Sequence, residues 1–319
     1  MRGEKWDKVE KAINIARMFE PPEGYYLCYS GGKDSVTVKH ILDMAGVKYD
    51  THYSVTTVDP PELVRFIITQ FKRVIYDMPD GSHKYYLTEG EHLRRCDQFD
   101  GEADTIHFEI PKTPMRKLIP KKKMPPTRLV RYCCEVLKEN GGDGRLKVTG
   151  VRAAESVARK KGHGDVTIMN PTKEVAGVKT EKGGVVLNFD DADSRRIVEQ
   201  CYRTHKTLVN PILDFTEADV WEFISKYDLQ YCRLYNEGQK RIGCVGCPMA
   251  NTKGQLRGFE RWPQYRKLYV RAFDDMLVVR QNAGLKTDWQ TGEDVMSWWL
   301  GLKPRTKNND DGGDIDAYN

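Results

Sequence analysis

Residues 25–42 read Tyr25-Tyr26-Leu27-Cys28-Tyr29-Ser30-Gly31-Gly32-Lys33-Asp34-Ser35-Val36-Thr37-Val38-Lys39-His40-Ile41-Leu42. The apolar run 25–29 has the length of a buried strand, and Ser30 to Ser35 is a tight polar turn. Val36 to Ala45 follows with helical spacing and is closed by Gly46, the residue type that ends helices. Strand, turn and helix in that order is the unit of a parallel α/β sheet. The turn itself is built for an anion. Gly31 and Gly32 let the backbone turn sharply and approach a ligand. The N–H groups opening the helix carry partial positive charge. Lys33 adds a mobile cation, and Ser30 and Ser35 add hydroxyl donors. GxxxxGK[ST] is absent, so this is not a Walker A loop.

Working outward, residues 5–19 place Trp6, Val9, Ile13 and Ala16 on one helical face, and Pro21-Pro22 stop that helix. Strands are predicted at His52–Val58, Thr105–Ile110 and Leu146–Gly150. Helices are predicted after Pro60-Pro61, with Leu63, Phe66, Ile67 and Phe71 as the stripe, and at Ala153–Lys160. Gly183-Gly184 sits between β-prone stretches, which predicts a β-hairpin insertion near 165–190. Thr216-Glu217-Ala218-Asp219 reads as a cap for a helix through Ile224 with Trp221 inward. A long helix spans Pro263–Asn282. The domain plan is therefore a phosphate-loop domain over 1–250, a helical region over 251–306, and an acidic, disordered tail over 307–319.

The 319 residues are 39% hydrophobic and 30% charged, enough apolar matter for a core without any run that spans a bilayer. The charged start lacks an apolar signal core, which points to the cytoplasm and to reduced thiols. Net charge is +5, unevenly spread: residues 112–161 hold 15 Lys or Arg against Glu135, Glu139, Asp143 and Glu155. Such a run is either a solvated face or a site for phosphate, sulfate or nucleic acid. Lys121, Lys122, Lys123 and Arg128 are its polyanion-contact candidates. Residues 257–273 interleave aromatic and basic side chains, and an amphipathic helix with its aromatics inward is the better reading there.

Of eight cysteines, Cys28, Cys201 and Cys232 sit in apolar surroundings and read as inert, and Cys96 has no assigned role. Cys133-Cys134 and Cys244-Val245-Gly246-Cys247 together supply four thiolates, the count a [4Fe–4S] cluster needs. Adjacent residues on a regular helix diverge, so a helix end or distortion must present Cys133 and Cys134 together. Gly243 and Gly246 would let the backbone close around the metal, and Pro248 would stiffen the turn. Zinc and unligated thiols are the alternatives.

Ser30-Gly31-Gly32-Lys33-Asp34-Ser35 resembles the pyrophosphatase-loop motif of the adenine-nucleotide α-hydrolase-like superfamily. Gly150-Val151-Arg152-Ala153-Ala154-Glu155-Ser156 and the following Arg159 resemble the GxRxxES motif of its phosphoadenylyl sulfate (PAPS) reductase branch. Val58-Asp59-Pro60-Pro61-Glu62, the two cysteine pairs with their flanks, and Pro211–Trp221 also look like that family, in its iron–sulfur-bearing members. The resemblance implies a doubly wound parallel, Rossmann-like sheet with a helical, cysteine-bearing C-terminal region. It implies nucleotide binding by Ser30, Gly31, Gly32, Lys33, Asp34, Ser35, Asp59, Gly150, Arg152 and Arg159, with Lys33, Asp34 and Arg152 in catalytic roles. Cys133, Cys134, Cys244 and Cys247 would hold a [4Fe–4S] cluster, and ATP or an adenylyl sulfate with Mg²⁺ would be bound.

Reductases resembling this chain attack sulfate sulfur with a cysteine in a C-terminal tail, and no cysteine follows Cys247 in the sequence. The leading expectation is therefore ATP-dependent adenylation for sulfur transfer to a polyanionic acceptor such as nucleic acid. A phosphoadenylyl or adenylyl sulfate reductase using another thiol, and a non-catalytic nucleotide-binding module of a larger complex, are the alternatives. A sulfur- or electron-donor protein and a second copy of the chain stand as candidate partners, and no membrane is expected.

Overall fold

The computed structural model describes residues 2–99, 104–139, 141–169, 178–179, 185–187, 198 and 206–302. Cys201 and the tail from 307 lie outside them. In chain order the first elements are α1 (Arg2–Met18), β1 (Tyr25–Cys28), α2 (Lys33–Ala45), β2 (Tyr49–Ser54), α3 (Pro61–Thr69) and β3 (Arg73–Asp77). Then come β4 (His83–Glu89), β5 (His92–Cys96), β6 (Thr105–Glu109), α4 (Met115–Lys122), β7 (Lys147–Val148), α5 (Val157–Gly162) and β8 (Val166–Ile168). β9 (Val178–Lys179), β10 (Val185–Leu187), β11 (Thr207–Val209), α6 (Glu217–Lys226), α7 (Thr252–Arg261), α8 (Pro263–Asn282) and α9 (Gly292–Trp299) complete them.

The described strands form one sheet, ordered β5-β4-β3-β6-β2-β1-β7-β11-β8-β10-β9. The six from β3 to β11 in that order pair in parallel. Antiparallel strands extend both edges. This is the expected α/β class with a parallel centre flanked by helices. β1 lies between β2 and β7, so the chain leaves it first to one side and later to the other. The carboxyl ends of strands at such a reversal are where open α/β sheets bind ligands.

Several boundaries differ from the sequence reading. α2 starts at Lys33, so half of the expected loop is its first turn. Gly46 closes it in the left-handed region at φ 68°. The second strand is Tyr49–Ser54, three residues early, because Tyr49 to Thr51 pair with β1. The expected helix at 153–160 is broken in two. Ala153–Glu155 is a 3₁₀ turn, and extended Ser156 then caps α5 by accepting from Arg159 N–H at 3.2 Å. The buried face of α1 is Val9, Ala12, Ile15 and Ala16, with Ile13 only half-buried. β3 and the β4–β5 hairpin were not anticipated.

The chain divides into two compact units. One unit is 1–54, 61–110 and 141–242, and holds the whole sheet. The other is 55–60, 111–140 and 243–319. Its core gathers Met115, Leu118 and Ile119 of α4 with Tyr269, Ala272, Phe273 and Met276 of α8 and Val295 and Met296 of α9. Trp299 packs at tilted and edge-on angles among Phe259, Tyr269 and Phe273. The aromatics of the 257–273 segment thus face inward.

Candidate functional site

The turn after β1 is shaped by two glycines with different duties. Gly31 has φ 68°, and a Cβ there would lie 2.5 Å from Ile67 Cγ1, so only glycine fits. Gly32 is extended, caps α2, and has room for a Cβ at 3.4 Å from Ser30 Oγ. Ser35 Oγ accepts from Ser30 N–H at 3.2 Å and donates to Gly32 O at 2.8 Å, closing the turn. Lys33 N–H, at the helix start, donates to Tyr235 Oη at 3.1 Å. Burial pushes the Tyr235 phenol up to about 12, so it stays protonated.

Lys33 is not the mobile cation expected of it. Only 3% exposed, its Nζ lies 3.2 Å from Asp34 Oδ2 and 3.4 Å from Glu217 Oε2. Arg152, also 3% exposed, donates from Nε to Asp34 Oδ1 and from Nη2 to Glu217 Oε2, both at 2.7 Å. Two cations and two carboxylates therefore form one neutral, interlocked set. Arg152 reaches it from the carboxyl end of β7, the strand beside β1. Gly150 is needed on the way, since a Cβ there would lie 3.0 Å from the Asp34 carbonyl carbon. Glu217 sits in the first turn of α6, whose expected capping box is formed: Thr216 Oγ1 accepts from Asp219 N–H and Asp219 Oδ2 accepts from Thr216 N–H. The half-buried Trp221 donates to Glu217 Oε1 at 3.1 Å. Arg159, half-buried, pairs with Glu155 at 2.8 Å.

The second unit holds Cys133, Cys134, Cys244 and Cys247. Tyr132–Cys134 is a single helical turn that runs into a π-helical turn, Glu135–Glu139, which supplies the expected distortion at the adjacent pair. Cys133 feels the charge of Cys134, Cys244 and Cys247, so the four are gathered. They are not drawn together as around one tetrahedral ion, whose thiolates lie roughly 3.8 Å apart: among the described residues, the only set of three or more His, Cys, Asp or Glu with ligand atoms within 4.8 Å lies elsewhere. A hydrogen bond from Cys133, with Lys138 and Arg131 nearby, lowers Cys134 to about 6, while Cys133 is raised. Charge at the Cys244 sulfur raises buried Lys138, whose ammonium persists there, while burial pushes the Cys244 thiol itself up.

The Cys244–Cys247 turn is anchored on several sides. Val245 N–H donates to Val58 O at 2.8 Å, and the Tyr269 hydroxyl donates to Val245 O at 3.1 Å. Gly246 has φ 71° and lies so close to Phe259 that a Cβ would be 2.6 Å from its ring. Gly243 has nothing within 4 Å of a Cβ and is not required in this way. Asp59, expected at the nucleotide, is placed in this unit: it is buried, accepts from Thr56 N–H at 2.9 Å, and adds to the field on Lys138.

The basic candidates separate. Arg128 is committed to backbone carbonyls just after the turn, donating to Pro248 O at 3.3 Å, Met249 O at 3.2 Å and Ala250 O at 3.4 Å. It is a clamp rather than an open cation. Lys122 lies over the Tyr132 ring, Lys123 O accepts from Arg280 at 2.8 Å, and Lys121 is exposed. Glu217, Tyr235 and Lys138 were not singled out by the sequence. Glu217 was legible only as a helix-start residue, and its partner Arg152 is 65 residues away.

The profile of the phosphoadenosine phosphosulfate reductase domain matches residues 24–250. The chain belongs to that family. Among curated members of this reductase-domain family, the adenosine 5'-phosphosulfate reductase of Neisseria meningitidis is 27% identical over 120 residues, which are 38% of this chain and 44% of that protein. The adenosine 5'-phosphosulfate reductase of Staphylococcus haemolyticus is 34% identical over 108 residues, covering 31% and 42%. The chain thus spans less than half the length of these relatives. A crystal structure of phosphoadenylyl-sulfate reductase from Candida auris, a phosphate complex, has TM-score 0.36 and 13% identity over 70% of this chain and 82% of that one. No described helix is long and apolar enough to cross a membrane.

Proposed function

We propose that this family member binds an adenine nucleotide at the N-terminus of α2 and uses ATP to adenylate an acceptor for sulfur transfer. The observation that carries this is the neutral set of Lys33, Asp34, Arg152 and Glu217 where the sheet order reverses. An entering phosphate chain competes with Asp34 and Glu217 for two cations already aimed at the helix start. Glu217, with a side chain 55% exposed, is the carboxylate with room to swing away. Released carboxylates are hard oxygen ligands of the kind Mg²⁺ accepts. In the first step the acceptor oxygen attacks the α-phosphorus, the bond to the bridging oxygen breaks, and pyrophosphate leaves with the electron pair. Lys33 and Arg152 stabilise the charge that develops. A sulfur nucleophile then displaces AMP from the acceptor. Exposed Lys121, Lys160 and Lys161 support a polyanionic acceptor.

Cys133, Cys134, Cys244 and Cys247 fit a [4Fe–4S] cluster: four gathered thiols, a positive-φ glycine where the backbone is tightest, and Lys138 to offset the anionic charge. Such a cluster supplies electron transfer or local charge when bound. Residues Thr56 and Lys138 orient and neutralise Cys244, with its Sγ–H 3.5 Å from Thr56 Oγ1.

The second reading, reduction of an adenylyl sulfate, is favoured by the names of the curated relatives. The two separate on products. Anaerobic protein given ATP, Mg²⁺ and single-stranded DNA or RNA should release pyrophosphate and, with a sulfide donor, AMP. Sulfite released from adenylyl sulfate with reduced thioredoxin, and no pyrophosphate from ATP, would establish the reductase instead.

A further inference from the structure

The centre of a parallel sheet is ordinarily apolar on both faces. Here one face of β1, β2, β6 and β3 carries Tyr26, Asp50, His52, His107, Asp77 and Glu109. His52 and His107 are direct partners in the register of β2 and β6, and Asp77 pairs with Glu109 on the next strand. A ring nitrogen of each histidine and a carboxylate oxygen of Asp77 all lie within 4.8 Å of one another. His107 Nδ1 is already 3.0 Å from Asp77 Oδ2. A tetrahedral ion with bonds of about 2.0–2.1 Å needs donors roughly 3.3 Å apart, so small side-chain rotations close the set.

The surroundings have the form of outer partners to a metal. Asp50 holds His52 Nε2 and thereby sets the tautomer. His52 Nδ1 is buried, with Glu109 Oε1 3.3 Å away as its nearest carboxylate contact. His83 Nδ1 holds the other Asp77 oxygen at 2.8 Å. The His52 ring is fixed between Tyr26, stacked at 3.8 Å, and His107, at 4.7 Å. Carboxylate–histidine–metal chains of this kind orient ligands and raise their basicity. Strands, not loops, carry every donor, so the arrangement is held before any ion arrives.

We propose that His52, Asp77 and His107 form a binding site for one divalent first-row transition ion, with Asp50 and His83 as outer partners and a fourth position open to water. Two imidazoles and one carboxylate suit zinc or ferrous ion and discriminate against Mg²⁺ and Ca²⁺, which prefer all-oxygen sets. The site is separate from the four cysteines and independent of the nucleotide reading.

The test uses the full chain with cobalt as the probe. Cobalt on thiolates gives an intense near-ultraviolet charge-transfer band, whereas cobalt on nitrogen and oxygen gives only weak visible bands, so the two sets are read separately. The wild type should show the weak bands of one Co²⁺, with or without a separate thiolate band, and that ion should be displaced by Zn²⁺ and not by Mg²⁺. His107→Gln should lose that ion and leave any thiolate band unchanged. Asp50→Asn, which alters only the partner of the His52 Nε2 nitrogen, should weaken it about 10–100-fold. It serves as the readout if His107→Gln fails to fold. Unchanged cobalt affinity in either folded variant, or a wild type that binds cobalt only with the charge-transfer band, would overturn the site.

Discussion

Arg152 Nε donates to Asp34 Oδ1 at 2.7 Å, joining residues 118 apart in sequence. The arginine is buried, and the same guanidinium holds Glu217. Removing it leaves the two carboxylates to share one buried cation, Lys33. Arg152→Met should therefore destabilise the protein by about 3 kcal/mol, the low end for breaking a buried pair because Glu217 can turn to water. Adding Glu217→Gln should recover part of that loss. Urea unfolding of the single and double variants measures both.

Gly31 and Gly32 are neighbours with unequal constraints. Gly31→Ala combines a left-handed backbone with a clash at Ile67, and should cost at least about 1–3 kcal/mol. Gly32→Ala should change stability by less than about 0.5 kcal/mol. Equal midpoints in thermal melts of the two variants would contradict the geometry of the turn.

The four gathered cysteines lead to a compositional expectation. Protein purified without oxygen should be brown and carry about four irons per chain. Replacing Cys133, Cys134, Cys244 or Cys247 by Ala should remove the colour, whereas Cys28→Ala and Cys96→Ala should not. Colourless protein with one zinc bound through these thiols would refute the cluster.

Arg128 links the 127–130 stretch to the carbonyls that follow Cys247. Arg128→Ala should hasten iron loss to a chelator while leaving the salt dependence of any nucleic-acid binding nearly unchanged. Lys121→Ala should do the reverse, lowering the salt slope by about 1. Iron release kinetics and a salt titration separate the two residues.

The α6 cap makes the fold acid-sensitive. Burial would raise Asp219, but bonds from Lys8 and from Thr216 prevail and hold it below the usual carboxylate range. A depressed carboxylate stabilises the folded state above its unfolded value of about 3.9, and that contribution fades as pH falls through the folded value. Asp219→Asn should lower stability at pH 7 and make little difference near pH 2, as unfolding titrations at the two pH values report.

Local chemistry was legible in the sequence. Gly46 ends α2, Thr216 and Asp219 cap α6, and Pro263 opens α8, each because the residue type fixes the backbone or the cap within a few positions. The glycine turn before α2 and the helix distortion at Cys133-Cys134 were legible for the same reason. What long-range pairing decides was not. Lys33 reads as a mobile cation until Glu217 arrives from α6, and Arg128 reads as a nucleic-acid contact until residues 248–250 arrive from another part of the chain. The β4–β5 hairpin was missed because its strands are polar and half-exposed, with no clean alternation to mark a buried face.

Adenylyl transfer from ATP at the Lys33–Asp34–Arg152–Glu217 set implies a reversible first step, which exchange of labelled pyrophosphate into ATP reads out. With Mg²⁺ and the polyanionic acceptor present, label should enter ATP in the wild type and not in Lys33→Ala at matched stability. No exchange in the wild type, together with sulfite release from adenylyl sulfate, would show a sulfonucleotide reductase and not an adenylyltransferase.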